Sequence, residues 1–214
     1  MRKKRTLRDV PRRTHWKESV GSLGFVEIDY GDGRHPSRRL EKVADENDGQ
    51  FIGSLCETGL HAPAIDVDLP VSTAQTGSGR TVITFHREVP KIACLRLLVA
   101  LRDAGLIAPS WARSTHGRLS VGMAQILVPS FEIKVPTRVL SSSTEGHFHV
   151  YFDAEISVVS HDTLLDALEE TGVIGSDFRG MAKRNGTTLL IKPGLTKRDL
   201  RPVARRSPQW ESAY

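Results

Sequence analysis

The sequence contains an internal repeat, and this repeat restricts the possible folds more than any other feature of the chain. Residues 76–107 align without a gap with residues 143–174, at an offset of 67, and nine of the 32 positions are identical. Background amino-acid usage would supply roughly two or three identities. Self-similarity at a fixed offset is typical of a structural unit that is used twice. The identical pairs are Gly79/Gly146, Phe85/Phe152, Glu88/Glu155, Leu97/Leu164, Leu98/Leu165, Ala100/Ala167, Leu101/Leu168, Gly105/Gly172 and Ile107/Ile174.

Each copy predicts the same order of elements. A strand with alternating apolar residues ends at Pro70 or Pro136. A polar loop, a second strand that forms a hairpin with the first, an amphipathic helix and a last strand then follow. Gly105 and Gly172 stand where a left-handed residue would end each helix, and Ser160 is a candidate N-cap of the second helix.

The predicted fold class is α+β, built from two tandem β-β-α-β repeats at residues 63–127 and 128–193. One repeat alone would leave much of its sheet exposed, so we expect the two to pack as a pseudo-dimer. Their helices would cover one face of an antiparallel or mixed sheet. Residues 1–62 are predicted to be a basic, largely flexible arm with one strand-like stretch near residues 24–30, and residues 194–214 a flexible basic tail.

Positive charge is concentrated at the two ends of the chain. Residues 1–17 hold eight Lys and Arg against one acid, residues 18–191 hold 16 against 22, and residues 192–214 hold six against two. This segregation predicts binding of nucleic acid through the tails, with DNA favoured over RNA, by neutralisation of phosphates. The candidate contacts are Arg2, Lys3, Lys4, Arg5, Arg12, Arg13, Arg113, Arg118, Lys183, Arg184, Lys197 and Arg198.

Asp66 and Asp68 form the first candidate site. Alternate residues of a strand point the same way, so these carboxylates could hold a divalent cation, as in phosphoryl-transfer sites. The alternative is an amphipathic strand whose acids face water. The second copy favours that alternative, because it has Glu132 and Lys134 at the corresponding positions.

His147, His149 and Tyr151 form the second candidate site. If Phe148 and Val150 face the core, the two imidazoles and the phenol share the other face of one strand, followed by Asp153. Such groups could bind a nucleotide or phosphate, stack on a base, or bind a metal ion. Solvated side chains are the alternative.

Two negative expectations concern cysteine and membranes. Cys56 and Cys94 are far apart in sequence, which argues against a disulfide framework or a cysteine-rich zinc site. No apolar run approaches the roughly 20 residues of a membrane helix. We therefore expect a soluble protein in a reducing compartment, without a membrane partner.

Two resemblances rest on these motifs. Ser-Ser-Thr-Glu-Gly-His-Phe-His-Val-Tyr-Phe-Asp, at residues 142–153, resembles a group of small uncharacterised proteins of actinobacterial phages. That resemblance implies a phage gene product in the cytoplasm of an infected bacterium, or in the virion. Asp66-Val-Asp68 with Gly146-His-Phe-His149 also resembles the archaeo-eukaryotic primase–polymerase superfamily. It implies Asp66 and Asp68 as ligands of a divalent metal, a histidine on nucleotide phosphate, and Asp153 as a candidate third carboxylate.

Three functions follow as hypotheses, and the sequence leaves catalysis open. The first is a phage-type accessory protein that associates with nucleic acid without catalysing a reaction. The second is a divalent-metal-dependent nucleotidyltransferase of the primase–polymerase type. The third is a virion or host-takeover module that binds another protein.

Overall fold

The computed structural model describes residues 11–18, 25–28, 38–77, 79–107, 119–121, 124–142 and 146–195. These residues form an α+β fold, which confirms the predicted class. The strands are β1 (Arg13–Glu18), β2 (Phe25–Ile28), β3 (Arg38–Val43), β4 (Phe51–Cys56), β5 (Ala64–Val67), β6 (Val71–Gln75), β7 (Thr81–Phe85), β8 (Val89–Pro90), β9 (Leu119–Val121), β10 (Ala124–Leu127), β11 (Ser130–Ile133), β12 (Thr137–Ser141), β13 (Phe148–Phe152) and β14 (Leu189–Ile191). The helices are α1 (Lys91–Asp103), α2 (Val158–Glu170) and α3 (Ser176–Asn185).

The strands form four antiparallel sheets. The largest has the order β14-β4-β1-β3-β2, and it combines the N-terminal strands with the last strand of the described chain. The others have the orders β8-β10-β9, β11-β7-β6 and β12-β13-β5. The predicted N-terminal arm therefore contains four strands where the sequence indicated one.

The last two sheets exchange a strand between the two halves of the repeat. We call residues 64–103 the first unit and residues 130–170 the second unit. The hairpin β6-β7 of the first unit pairs with β11 of the second, and the hairpin β12-β13 pairs with β5 of the first. Ile65 lies opposite Val150 and Phe131 lies opposite Ile83. These two pairings occupy corresponding positions in the aligned sequences.

Both units contribute to one hydrophobic core under the packed helices α1 and α2. Phe85 and Phe152 are 4% and 2% exposed, and both lie in this core. Leu98 and Leu165, at corresponding positions of the helices, are buried in the same cluster. Apolar residues at helical spacing thus form the buried, apolar face that the sequence predicted for each helix.

The helix ends agree with the sequence in one respect and differ in another. Gly105 and Gly172 have φ values of 71° and 65°, the left-handed conformation predicted for a residue that follows a helix. Helix α2 begins earlier than predicted, however. Its N-cap is Ser157, whose side chain accepts a hydrogen bond from the Ser160 backbone, so Ser160 is not the cap.

The order of strands within each unit differs from the prediction. The polar segments predicted to be loops are the strands β6 and β12, so the hairpins are β6-β7 and β12-β13. Both are edge strands; the side chains of β6 are largely exposed, and those of β12 are exposed or half-buried, which is consistent with their polar composition. The predicted last strands are not equivalent, because β9 pairs with β10 whereas β14 pairs with β4.

A buried histidine pair joins the N-terminal sheet to the second unit. The rings of His61 and His161 stack with centroids 4.2 Å apart, and the Ser54 hydroxyl of β4 lies 3.1 Å from His61 Nδ1. Both rings are almost inaccessible to solvent. Burial lowers the pKa of His61, and it lowers that of His161 to about 3. The pair is therefore held in its neutral form.

Candidate metal centre

The candidate centre forms where β5 meets β13. Antiparallel pairing places Asp66 directly opposite His149. Ile65 and Val67 point into the core, so Asp66 lies on the other face of β5. Asp68 and His147 lie just beyond the paired ends of the two strands. The exchange of β5 between the units is thus what brings the first repeat's acids to the second repeat's histidines.

Two pairs, each of one carboxylate and one imidazole, are in contact at this site. His147 Nδ1 lies 2.7 Å from Asp68 Oδ1, and His149 Nε2 lies 3.6 Å from Asp66 Oδ1. One ligand atom each of Asp66, Asp68 and His147 falls within 4.8 Å of the other two. Small side-chain rotations can place such atoms around a single cation.

The cluster is open on one side. The side chains of Asp68 and His147 are 46% and 35% exposed, whereas that of His149 is only 11% exposed. His149 therefore forms the floor of the site. A cation bound here would keep a coordination position towards solvent, the arrangement typical of catalytic rather than structural metal sites.

Helix α3 begins beside the cluster. The Asp68 Oδ2 atom lies 3.4 Å from the position that a Cβ atom would occupy on Gly175, the N-cap of α3. The partial positive charge of a helix N-terminus stabilises a nearby carboxylate. The backbone there leaves room for the Asp68 side chain.

The corresponding position between β7 and β11 has different chemistry. There Arg80 Nη1 lies 2.9 Å from Glu132 Oε1, and Glu132 is buried. In the repeat alignment Arg80 corresponds to His147 and Glu132 to Asp66. The carboxylate of one site is thus neutralised by a fixed guanidinium, whereas the other site has imidazoles.

Tyr151 does not belong to the open site, which corrects the prediction that it contacts nucleotide or phosphate. It is 2% exposed and packs with Ala64 and Leu190, because the N-terminal sheet and β14 cover this part of the face. Its hydroxyl has no hydrogen-bond partner among the described residues. Burial raises the pKa of Tyr151 to about 12, so the phenol stays protonated.

Arg13 is also in a different place from the one predicted, because it is buried rather than available to nucleic acid. Its guanidinium donates to the carbonyl oxygens of Ala62 and Phe152 and lies 3.6 Å from Asp153. Arg138 also contacts Asp153, at 3.2 Å. Asp153 is thus held by two guanidinium groups. No sequence pattern indicates this cluster, because its members are distant along the chain.

The remaining basic candidates divide into two groups. The side chain of Arg12 is 84% exposed, and Lys183 and Arg184 are exposed in the last turn of α3. The others lie outside the described residues, so their contacts with nucleic acid stay predictions. These are Arg2, Lys3, Lys4, Arg5, Arg113, Arg118, Lys197 and Arg198.

Comparison with protein-family models, curated proteins and solved structures found no match. Among the described residues, no helix has the length and apolar character needed to cross a membrane. Both cysteines are free and buried.

Proposed function

We propose that this protein binds a divalent metal ion between β5 and β13 and uses it in phosphoryl or nucleotidyl transfer on a nucleic acid or nucleotide. The supporting observation is the convergence of Asp66, Asp68 and His147, with ligand atoms within 4.8 Å of one another. Two carboxylates neutralise a divalent cation, and the open side leaves room for a phosphate oxygen as a further ligand. Such a cation would polarise the phosphoryl group.

The surroundings of the cluster are compatible with a phosphate-bearing substrate. Arg138 stands opposite Tyr151 in the same sheet, and its side chain is 53% exposed. The basic ends of the chain would raise the local concentration of nucleic acid through counterion release. We favour DNA over RNA as the substrate.

The proposed chemistry needs only one metal ion. In the primase–polymerase resemblance, Asp153 would be the third carboxylate. Asp153 contacts Arg13 and Arg138, however, and its side chain is only 12% exposed. We therefore assign Asp153 a structural role, and we assign metal binding to the cluster around Asp66.

The proposal predicts metal-dependent turnover that requires Asp68. The full-length protein should cleave or extend DNA in the presence of Mn²⁺ or another divalent ion, and excess chelator should abolish this activity. Asp68→Asn keeps the size of an exposed side chain and should lower kcat/KM at least about 100-fold, because it removes a charged metal ligand. Glu132→Gln, in the corresponding site, is the control and should retain activity if it folds. Turnover that survives both chelator and Asp68→Asn would contradict the proposal.

A second candidate function is supported by the charge distribution. The net charges of residues 1–17, 18–191 and 192–214 are +7, −6 and +4, from the Lys, Arg, Asp and Glu counts of the sequence. In this proposal the protein is a phage-type accessory factor that holds nucleic acid without catalysis, in the cytoplasm of an infected bacterium or in the virion. Its binding would be electrostatic and independent of nucleotide sequence.

Salt dependence tests this second function. Replacing Arg2, Lys3, Lys4 and Arg5 with alanine should reduce the slope of log affinity against log salt by about 0.9 for each phosphate that is no longer neutralised. Deletion of residues 1–17 is unsuitable, because it would remove most of β1 from the middle of its sheet. Lys91→Ala, at an exposed helical position, is the control. No binding at low salt, together with a protein partner recovered after nuclease treatment, would favour the interaction module.

We further infer that the two units are copies of one ancestral β-strand and helix module, arranged as a pseudo-dimer. The equivalent registers of β5 with β13 and of β11 with β7 support this inference. So does the burial of Phe85 and Phe152 in one core. In this view only one of the two corresponding carboxylate positions acquired histidines.

A further inference from the structure

We propose that the centre selects an imidazole-preferring transition-metal dication such as Zn²⁺ over Mg²⁺ and Ca²⁺, with His149 as a fourth protein ligand. This inference rests on the metal site of the proposed function. It specifies the class of metal ion, and it adds His149 to the three ligands Asp66, Asp68 and His147.

Two separations between ligand atoms are close to those around a small transition-metal ion, and the others, within 4.8 Å, require the side chains to move closer together. At bond lengths of about 2.0–2.2 Å, neighbouring ligand atoms lie about 2.8–3.6 Å apart, depending on whether the ion is six-coordinate or tetrahedral, and a five-coordinate ion with these four protein ligands keeps one position for substrate. His149 Nε2 and Asp66 Oδ1 are 3.6 Å apart, which is within this spacing. His147 Nδ1 and Asp68 Oδ1 are at hydrogen-bond distance, 2.7 Å, and need to separate by less than about 1 Å.

The chemical nature of the ligands favours the same class. Ca²⁺ prefers six to eight oxygen ligands, and Mg²⁺ prefers oxygen and retains several waters. Imidazole nitrogen suits Zn²⁺ and other transition metals. A site with two imidazoles and two carboxylates offers an oxygen-preferring ion only half of its protein ligands.

The charge balance also supports a dication. As metal ligands, two carboxylates and two imidazoles carry a formal charge of −2, which one divalent ion cancels. At the corresponding position, Arg80 already neutralises Glu132 through a contact of 2.9 Å. That position therefore has no need of a metal ion, and it provides a matched internal control.

The position of His149 is fixed before a metal binds. It lies opposite Asp66 in the strand pairing, and its ring is nearly perpendicular to the Tyr151 ring, with centroids 6.2 Å apart. Its side chain is 11% exposed, so few other orientations are accessible. Ligands held in place by surrounding packing lose little entropy when they bind a metal.

Calorimetric titration of the chelator-treated full-length protein with Zn²⁺, Mn²⁺ and Mg²⁺ tests the inference. We expect one Zn²⁺ per chain, bound at least about 100-fold more tightly than Mg²⁺, following the preference of imidazole for transition metals. His149→Gln and the more exposed His147→Gln should each weaken Zn²⁺ binding at least about 10-fold. Arg80→Gln should leave the affinity unchanged, and circular dichroism checks that each variant is folded.

Three outcomes distinguish a failure of this inference from a failure of the proposed function. Binding of Mg²⁺ as tight as that of Zn²⁺ would overturn the selectivity and leave the proposed metal-dependent function intact. Unchanged Zn²⁺ affinity in a folded His149→Gln variant, with weaker binding in His147→Gln, would overturn the role of His149 alone. If no divalent ion binds, the inference and the proposed function both fail.

Discussion

Replacing Arg13 with methionine is expected to lower the free energy of unfolding by about 3 kcal/mol or more, because it removes one partner of a buried ion pair. The Arg13 side chain is 6% exposed and contacts three groups: the carbonyl oxygens of Ala62 and Phe152 and the carboxylate of Asp153. Burial lowers the pKa of Arg13, but the guanidinium remains charged. For a chain of this size the destabilisation corresponds to a fall in Tm of about 6–12 °C.

The adjacent residue provides a matched control. The side chain of Arg12 is 84% exposed, and it lies 3.6 Å from Glu57, whose side chain is also largely exposed. A surface ion pair of this kind contributes little to stability, so Arg12→Met should leave Tm nearly unchanged. The opposite result, with a stable Arg13→Met variant that binds DNA more weakly, would place Arg13 at a nucleic-acid surface.

The buried histidine pair is expected to make the fold sensitive to acid. His161 has a folded-state pKa of about 3, against about 6.5 in the unfolded chain, so the unfolded chain takes up a proton that the folded chain excludes. The stabilising contribution is present above pH 6.5 and is lost as the pH falls towards 3. Within this window the free energy of unfolding should fall by about 1.4 kcal/mol per pH unit for His161. His61, whose pKa is also lowered, adds to this fall.

Chemical denaturation at several pH values measures this effect. His161→Phe keeps an aromatic ring against His61 and removes the proton-binding group, so stability should fall less steeply between pH 6 and pH 4. His86 is exposed, and His86→Asn is the control that should leave the slope unchanged. Equal slopes in the wild type and in His161→Phe would show that His161 is not buried in its neutral form.

Local patterns predicted the parts of this fold that depend on local contacts. The alternation in β5 and β13 placed Ile65, Val67 and Val150 in the core, and the structure confirms this. The glycines after α1 and α2 were located correctly because a left-handed residue is a local requirement. Asp66 and Asp68 share one face for the same reason.

Interactions between distant segments were not accessible from the sequence. The choice of β13 as the partner of β5 depends on contacts between the two units, which are more than 60 residues apart along the chain. The alternating pattern of a strand predicts which face is buried, but it does not identify the strand that pairs with it. Tyr151 was predicted to share an open face with His147 and His149, but β4 and β14 of the N-terminal sheet cover it. Helix α3 was missed because most of its residues are polar.

The exchange of strands explains how the centre arises. Each repeat alone carries only half of the cluster, with the carboxylates on the first and the histidines on the second. A hairpin within one unit would have kept these halves apart. Because β5 pairs with β13 instead, Asp66 faces His149, and Asp68 lies 2.7 Å from His147 at the end of the same sheet.

A crystal structure of the full-length protein soaked with Zn²⁺, with anomalous data collected at the zinc edge, tests this account most directly. We predict one strong anomalous peak between β5 and β13, at about 2.0–2.2 Å from ligand atoms of Asp66, Asp68 and His147. No peak is expected beside Arg80 and Glu132. Separation of Asp66 and His147 onto different surfaces, or zinc bound only elsewhere on the chain, would contradict the account.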